Sequence, residues 1–490
     1  MQAAGTSVSL DISATPVGAL PSGVSFQIVD EAGVFEAATT FTKSPGGSLD
    51  IVASVAPSTP VGDYSGGLTL EVCPNTACSK PLDSGHPIPY TILVLDSTSA
   101  WPGNHLTTLS PWSGVSDWAM YQGNAGHTGL VPATITPDAI ATRWDWQEPS
   151  VTTSTFNRST TLTRMAVAGG QIYIAGGDEL LAIREDDSSA LWSYDLSGIT
   201  YPSTNAPAVA GTTVYMAGGQ QNTTYLWAFD TASGSLLFRS QMSSQWEHYL
   251  APTVAAGAVY TDAGTYGGMY AIDATTGAEK FFTDLQQFDE WTPAVDSTYA
   301  YAYIGGQTGD TPAQLNVISL QTGAVTASIP DYSYVWDGYD MYCSPVLGSP
   351  GTVFAVNVGN PNNNTLMAFD IATWAITWAV AGHYTGNPAY ANGTIYAVNR
   401  SPLQLEARWE ADGQVLWTWV PPLSSETTFV GDVLLTNNLA LVSTNQNTYA
   451  IDLATQRLLW SYPASGNLSL SANGVLYIQR ASDIVAFNTK

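Results

Sequence analysis

The strongest constraint on the fold is an internal repeat that fills the chain after about residue 140. Its clearest copy runs from Val254 to Tyr260, passes a turn, continues as Met269 to Asp273 and ends at Phe281, which predicts strand, hairpin, strand, turn and strand. The position of Ala271 recurs every 36 to 51 residues. Periods of about 40–50 residues with several strands per unit are typical of propeller blades. The equivalent positions are Ala182, Ala228, Ala271, Val317, Ala368, Ala407, Ala450 and Ala486.

An aromatic residue stands ten positions after most of these residues. The eighth copy would need a residue beyond Lys490, but Trp144-Asp-Trp146 has the same spacing as Trp192-Ser-Tyr194. We therefore predict that this N-terminal strand completes the last blade and closes an all-β, eight-bladed propeller without an open sheet edge. The aromatic positions are Trp192, Phe238, Phe281, Trp378, Trp417 and Trp460, with Ala327 as the exception.

Residues 1–96 carry a different pattern, in which short alternating strands are separated by Pro, Gly, Asp and Ser turns. This pattern predicts a small β-sandwich. The stretches from Gly62 to Cys73 and from Pro87 to Leu95 resemble the immunoglobulin-like domains that precede repeat propellers in bacterial surface proteins. We expect 97–116 to be a Pro/Gly/Ser-rich linker that leaves this domain some freedom, and 117–490 to be the propeller. The predicted sandwich strands cover 7–13, 24–30, 36–42, 48–54, 64–72 and 89–95.

The charge balance excludes several classes of partner. The chain has 13 Lys and Arg against 40 Asp and Glu, a formal charge of −27. Such a field repels nucleic acid and anionic membrane surfaces. No run of 18 or more apolar residues exists, so no transmembrane segment is predicted. We expect a monomer whose partner is a protein, a glycan or a small molecule.

The cysteines indicate an oxidising compartment. Cys73 and Cys78 lie five positions apart, and a disulfide across such a turn is geometrically plausible, with two free thiols as the alternative. Zinc is disfavoured because no further Cys/His pair stands nearby. Cys343 is left over, and a buried thiol explains it most simply. We expect an extracytoplasmic protein, either periplasmic, secreted or on the cell surface.

The repeats resemble the tryptophan-docking repeat of quinoprotein (PQQ-like) propellers, Ala-x-Asp-x-x-Thr-Gly-x-x-x-Trp, as in Ala271 to Phe281. The segment from Asp117 to Gly129 is similar to the one that introduces such propellers, and the resemblance spans about 117–490. It implies that the repeat aspartates shape turns while the aromatic residues wedge between blades. These turn aspartates are Asp230, Asp273, Asp370 and Asp452.

The same resemblance raises the question of quinone chemistry. Family enzymes that use the quinone carry adjacent cysteines, a calcium ion held by acidic and amide side chains, and a catalytic aspartate. This chain has no Cys-Cys pair and no Cys-x-x-Cys-His haem motif, and few basic residues to grip a tricarboxylated cofactor. We predict no cofactor: pyrroloquinoline quinone with calcium is disfavoured, and an isolated structural calcium ion at turns such as 185–187 or 362–364 stays an alternative.

A candidate ligand site lies in the links that precede several innermost strands. Each link carries polar and aromatic residues followed by proline, and in a propeller the links should gather at one mouth of the channel. His248 or His383 could carry a proton with a carboxylate partner, whereas the alternative is a solvated funnel. The candidate residues are Trp246, Glu247, His248, Tyr249, Asp289, Glu290, Trp291, Asp337, Asp340, Tyr342, His383 and Tyr384.

Three classes of function follow from this sequence. A binding or scaffold protein that holds a protein, glycan or small ligand at one channel mouth is favoured. The second class is an enzyme at the same mouth, either a carbohydrate-active lyase or hydrolase or a divergent quinoprotein oxidoreductase. The third is a structural component of a surface layer or assembly, for which broad apolar patches on the blade flanks would be the signature.

Overall fold

The computed structural model consists almost entirely of β-strands. Short 3-10 turns span Tyr121–Gly123 and Pro137–Ala139. Within the described part of the chain, no helix has the length and apolar character needed to cross a membrane. The described residues are 2–3, 9–14, 23–30, 33–36, 40–43, 49–55, 59, 62–75, 78, 80–85, 87–95, 106–148, 161–176, 179–196, 203–220, 223–243, 251–263, 267–285, 291–305, 311–335, 344–357 and 364–490.

The front region forms two sheets that enclose a small apolar core. One sheet has the strand order β1-β8-β6-β3 with β7 beside β6, and the other has the order β2-β5-β4. Tyr90 and Leu68 are buried in the core, and Cys73 and Cys78 form a disulfide. The sandwich and its immunoglobulin-like character stay predictions. The strands are β1 (Gln2–Ala3), β2 (Ser9–Ala14), β3 (Ser25–Asp30), β4 (Thr40–Lys43), β5 (Leu49–Ser54), β6 (Gly62–Cys73), β7 (Asp83–Ser84) and β8 (Ile88–Leu95).

Eight antiparallel sheets follow in the described residues from 141 onward. First strands of neighbouring sheets lie side by side, as in β10 with β15 and β31 with β35, so they surround a central channel. The first four sheets are β10 (Ala166–Ala168), β11 (Gln171–Gly176), β12 (Glu179–Arg184) and β13 (Ala190–Asp195) in sheet 1; β14 (Ser203–Thr204), β15 (Ala208–Ala210), β16 (Thr213–Gln220), β17 (Thr223–Asp230) and β18 (Leu236–Met242) in sheet 2; β19 (Thr253–Ala255), β20 (Ala258–Asp262), β21 (Gly268–Asp273) and β22 (Glu279–Asp284) in sheet 3; β23 (Ala294–Val295), β24 (Tyr299–Ile304), β25 (Pro312–Ser319) and β26 (Val325–Val335) in sheet 4.

The remaining four sheets repeat the same order, and the strand 141–147 supplies the outer strand of the last one. They are β27 (Val346–Leu347), β28 (Thr352–Val356), β29 (Asn364–Asp370) and β30 (Ala375–Gly382) in sheet 5; β31 (Tyr384–Ala391), β32 (Thr394–Arg400), β33 (Leu403–Trp409) and β34 (Val415–Trp419) in sheet 6; β35 (Phe429–Leu435), β36 (Leu439–Thr444), β37 (Thr448–Asp452) and β38 (Leu458–Tyr462) in sheet 7; β39 (Asn467–Leu470), β40 (Val475–Gln479), β41 (Asp483–Asn488) and β9 (Ala141–Gln147) in sheet 8.

The ten-residue spacing of the repeat is a cross-strand pair. Each small anchor residue lies directly opposite its aromatic partner on the outer strand, as Ala271 does with Phe281 and Ala450 with Trp460. The closing strand keeps this register, because Trp144 lies opposite Ala486. The prediction that residues 143–146 complete the last sheet is therefore confirmed.

The aromatic residues dock on the turn of the next sheet. The indole N–H of Trp378 donates to the carbonyl oxygen of Glu410 at 2.7 Å, and that of Trp192 donates to Thr231 at 2.9 Å. Glycine suits the turn under Trp378, since Gly413 has φ +70° and a Cβ there would lie 2.7 Å from the Trp378 ring. The equivalent turn positions of sheets 1 and 7 hold Ser188 and Gln456, also at positive φ. These contacts confirm the predicted wedging.

The turn aspartates also behave as predicted. The Oδ1 atom of Asp273 accepts hydrogen bonds from the backbone N–H groups of Thr275 and Thr276 and from the Thr276 hydroxyl. Those bonds lower the pKa of the Asp273 carboxyl, the backbone bond of Thr276 contributing most. Asp230, Asp370 and Asp452 accept the equivalent backbone bonds, so all four residues shape turns.

One seam departs from this pattern. Between sheets 4 and 5 the outer-strand residue is Ala327, opposite Val317, and the turn position of sheet 5 holds Trp374 instead of glycine. Trp374 has φ +56°, a backbone conformation that a bulky residue rarely adopts, and its side chain is 40% exposed. At this seam the large ring comes from the turn and the small residue from the strand.

Candidate functional site

One end of the channel is closed by the segment 117–131, which passes from sheet to sheet around the ring. Its carbonyl oxygens accept backbone hydrogen bonds from the first strands in chain order, each at 2.7–2.8 Å. Asp117 also holds two turns together, since its carboxylate accepts from the N–H groups of Gly169 and Ala472. The carbonyl-to-N–H pairs are Trp118 with Val167, Ala119 with Val209, Ala125 with Val295, Gly126 with Leu347, Thr128 with Tyr390 and Gly129 with Leu435.

The topology fixes which end this is. Each first strand begins at the link from the preceding sheet and ends at the turn to its own second strand, so links and turns lie at opposite ends. The closing segment reaches the turn residues Gly169 and Asn437, the latter through the bond from Asn437 N–H to the carbonyl oxygen of Ala133. We call this the turn end. The described ends of the links, such as Arg164 before β10 and His383 before β31, therefore lie at the opposite end of the channel, which we call the link end.

Arg164 and Asp432 form an ion pair beside the closing segment, at the base of the channel, which we call the channel floor. Arg164 lies in the link before β10, Asp432 lies in β35, and the Nη1 to Oδ2 distance is 2.5 Å. The guanidinium also lies over the ring of Tyr121, 4.9 Å from its centre. Asn387 completes the group by donating from its backbone N–H to Asp432 and from its side-chain amide to the Tyr121 hydroxyl. Arg164 keeps 30% of its side chain exposed, against 7% for Asp432.

These contacts fix the charge states of the floor. Burial, the largest single influence, would lower the pKa of Arg164, but Asp432 and Tyr121 together outweigh burial and the pKa is raised. Burial raises the pKa of Tyr121, so its hydroxyl stays protonated. The floor therefore offers one permanent, partly exposed positive charge that is balanced by one negative charge.

Beside the ion pair lies a cavity of about 20 Å³, which has room for about one water molecule. Gln122, 3% exposed, lines it and donates from Nε2 to the carbonyl oxygen of Pro388, while its Oε1 atom has no hydrogen-bond partner. Gln479 lines the opposite wall and holds the link before β10 through the carbonyl oxygens of Leu162 and Thr163. An ordered water donating to Gln122 would satisfy the one open acceptor.

His127, from the closing segment, connects sheets 3 and 5 without any exposure to solvent. Its Nδ1 atom lies 3.2 Å from the carbonyl oxygen of Pro345, which can only accept, so Nδ1 carries the proton and Nε2 accepts from the Thr253 hydroxyl at 3.0 Å. The Ser344 hydroxyl also contacts Nδ1. Burial lowers the pKa of His127 to about 3. Although Ser344 and His127 are in contact, both are buried, so the pair cannot reach a substrate as a nucleophile and base.

Residues 198–419 match the family model described as "Outer membrane protein assembly factor BamB". This chain contains a PQQ-like repeat β-propeller. The solved structure of BamB from Moraxella catarrhalis is 13% identical with a TM-score of 0.54, covering 71% of this chain and 99% of its own. A europium-containing methanol dehydrogenase is 12% identical with a TM-score of 0.57, covering 76% and 98%.

Quinohemoprotein alcohol dehydrogenase from Comamonas testosteroni is also similar in structure, at 14% identity and a TM-score of 0.56, with 76% of this chain and 80% of that chain covered. At these identities the likeness establishes the propeller fold alone. The search of curated proteins found no match. The predicted resemblance to PQQ-like propellers is confirmed, and what the propeller binds must be argued from its own residues.

Most predicted site residues of the PQQ-like propeller lie outside the described residues. Trp291 is described and buried in the core between sheets, with its backbone N–H directed at Asp262, 3.4 Å away. Tyr384 is also buried, and its hydroxyl donates to Glu406 at 3.0 Å. His383 is half-buried at the start of sheet 6. The residues outside the description, with Cys343, are Trp246, Glu247, His248, Tyr249, Asp289, Glu290, Asp337, Asp340 and Tyr342.

The floor residues were missed in the sequence because the search followed only links with aromatic clusters. Arg164 occupies the same register, just before a first strand, in a link whose preceding residues are mostly Ser and Thr. Asp432 lies within a first strand, in a bulge between Val430 and Leu434. One sequence signal could have found Arg164. The chain has only 13 Lys and Arg, so an arginine placed just before a first strand stands out as a candidate for the channel.

The floor does not fit a quinone cofactor. Its cavity of about 20 Å³ is far smaller than a tricarboxylated ring system, and the Arg164 guanidinium already engages Asp432 and the face of Tyr121. Throughout the described ranges, the one group of three potential metal ligands is Glu71, Cys73 and Cys78, where the disulfide occupies both sulfur atoms. We therefore derive no chemical step through a quinone or a metal ion at this floor.

Proposed function

We propose that this chain is an extracytoplasmic binding or scaffold protein that holds its partner at the link end of the propeller channel. The observation that carries the proposal is the closure of the turn end by residues 117–131, which makes the channel a one-ended cup. Binding sites are concave surfaces with a few convergent polar groups, and the Arg164 and Asp432 pair supplies such groups at the base of this cup.

Two further observations support this assignment. The disulfide between Cys73 and Cys78 suits an oxidising compartment. The matching family model and one similar structure carry the name of an outer membrane assembly factor, which favours a protein partner over a small substrate. The predicted link residues, such as Tyr249 and Asp337, would form the rim that the partner contacts.

The second candidate is an enzyme at the same mouth, either carbohydrate-active or a divergent quinoprotein. The dehydrogenases among the similar structures favour the quinoprotein form of it. The floor geometry opposes it, because no described cavity at the channel base accepts the cofactor. We therefore rank it below binding.

A thermal-shift screen of the intact chain tests both candidates, because a molecule that binds only the folded state raises the melting temperature. The panel holds glycans, cell-envelope fragments and pyrroloquinoline quinone with and without calcium. Binding at the link end predicts a shift that Tyr249→Ala or Arg164→Gln reduces, while the control Arg457→Gln, an exposed residue in the turn between β37 and β38 at the other end, leaves it unchanged. A shift with quinone plus calcium would support the enzyme instead, and a shift insensitive to both variants would place the site elsewhere.

A further inference from the structure

The largest described cavity lies at the turn end, outside the closed channel. It has a volume of about 780 Å³ and is bounded by residues 106–117 on one side and by turns of sheets 1 and 8 on the other. Cavities of roughly 300–1,000 Å³ are the usual size for small-molecule sites. Because the closing segment separates it from the channel, this cavity is independent of the proposed link-end site.

One wall of the cavity is backed by an unusual buried charge. Arg143 has no exposed surface, and its guanidinium donates only to uncharged acceptors: Thr107, Asn488 and the carbonyl oxygen of Asp186. Its Nε atom has no partner. Burial lowers the pKa of Arg143, and the nearby charges of Asp186, Glu185 and Asp187 oppose that shift only in part. An anionic group in the cavity would stabilise the guanidinium further through its charge. Arg184, with an exposed side chain, lies on the same cavity wall and can contact such a group directly.

The cavity also offers negative charge. Asp186 lines it with an exposed side chain, whereas both oxygens of Asp117 already accept backbone N–H groups. One exposed guanidinium, Arg184, and one exposed carboxylate, Asp186, therefore line the cavity, and a ligand with a single charge can pair with only one of them. A simple anion would in addition meet the field of a chain with a net charge of −27.

The opposite wall is apolar and partly open. Leu106 is 45% exposed, and Leu109 and Val115 are half-buried beside it. An apolar group placed against these side chains would remove their remaining surface from water. The three features together describe a ligand with one carboxylate, one ammonium group and an apolar side chain.

We propose that this cavity binds a small zwitterion with an apolar side chain, of the class of aliphatic amino acids and short peptides. The carboxylate lies toward Arg184 with Arg143 behind it, the ammonium group lies toward Asp186, and the side chain packs on Leu106 and Leu109. The cavity holds more than a single amino acid, so a dipeptide fills it better.

Isothermal titration of the intact chain with leucine and leucyl-leucine tests this assignment. The probes are paired with 4-methylpentanoate, which lacks the amine, and with isoamylamine, which lacks the carboxylate. We expect saturable binding of the dipeptide, weaker binding of leucine, and at least tenfold weaker binding of both single-charge analogues. Arg184→Gln and Asp186→Asn should each weaken dipeptide binding at least tenfold, while Arg457→Gln, an exposed arginine of sheet 7, should leave it unchanged.

Both variants change exposed side chains, so their melting temperatures provide a check that they fold. Equal binding of the dipeptide and the carboxylate-only analogue would overturn the zwitterion and leave an anion site. No saturable binding of either zwitterion to the wild-type chain would overturn the proposal altogether. Neither result bears on the link end, because Arg164, which tests that site, does not line this cavity.

Discussion

The buried imidazole of His127 makes a quantitative prediction about acid stability. Burial lowers its pKa from 6.5 to about 3, so the unfolded chain takes up a proton below pH 6.5 that the folded chain refuses. Stability contributed by this group is complete above pH 6.5 and is lost as the pH falls toward 3. Each pH unit in that window removes about 1.4 kcal/mol, and the whole window removes roughly 5 kcal/mol.

The assay is urea unfolding followed by tryptophan fluorescence at several pH values between 7 and 4. His127→Asn removes the titrating group, so its free energy of unfolding should fall less steeply with acid than that of the wild type. At pH 7 the same variant should be less stable by about 1–3 kcal/mol, because partners such as Thr253 lose a bond.

The reasoning fails if His127→Asn and the wild type show the same pH dependence. A direct check does not depend on the variant folding: an NMR titration of the five histidine side chains should show one imidazole that stays neutral down to about pH 4. An imidazole population that all titrates near the ordinary value would refute the burial argument.

Three more predictions follow from the propeller seams and its tyrosines. Gly413→Ala should lower the free energy of unfolding by about 2–5 kcal/mol, because the backbone there is left-handed and the new Cβ would lie 2.7 Å from the Trp378 ring. The control Gly211→Ala has φ +59° but no neighbouring atoms, so it should lower the same free energy by only about 1–2 kcal/mol in the urea assay. Ala327→Trp alone should lower the free energy of unfolding, and adding Trp374→Gly should restore part of it. A double-mutant cycle should give a coupling energy of about 0.5–3 kcal/mol between the two positions, whereas additive effects would show that they are independent. Burial raises the pKa of Tyr121, Tyr301 and Tyr477, so stability should fall above pH 10 as the unfolded chain ionises these groups first. One part of the tyrosinate absorbance should then rise only together with loss of the β-sheet circular dichroism signal, and ionisation of all 25 tyrosines before unfolding would contradict this account.

The repeat could be found in the sequence because it is local. The spacing between Ala271 and Phe281 equals the length of a bulged hairpin, and the chain cannot place them opposite each other with any other spacing. The same rule located the closing strand, since Trp144 keeps the register although it precedes Ala486 by most of the chain. The exception at Ala327 was visible in the sequence, but the left-handed backbone of Trp374 on the facing turn became apparent only from the structure.

The sequence by itself determined the strands, the turns and the order of the propeller, because alternation, turn chemistry and hairpin spacing act over a few residues. Only the tertiary structure decided the channel. The floor is built from Tyr121, Arg164 and Asp432, which lie up to about 300 residues apart in the sequence. These residues do not recur at a fixed spacing as the repeat residues do, so no sequence pattern connects them. Closure of the propeller ring brings these three side chains within hydrogen-bonding and ring-contact distance. The segment 117–131 can close the channel only because the first strands of the sheets surround it and donate hydrogen bonds to it.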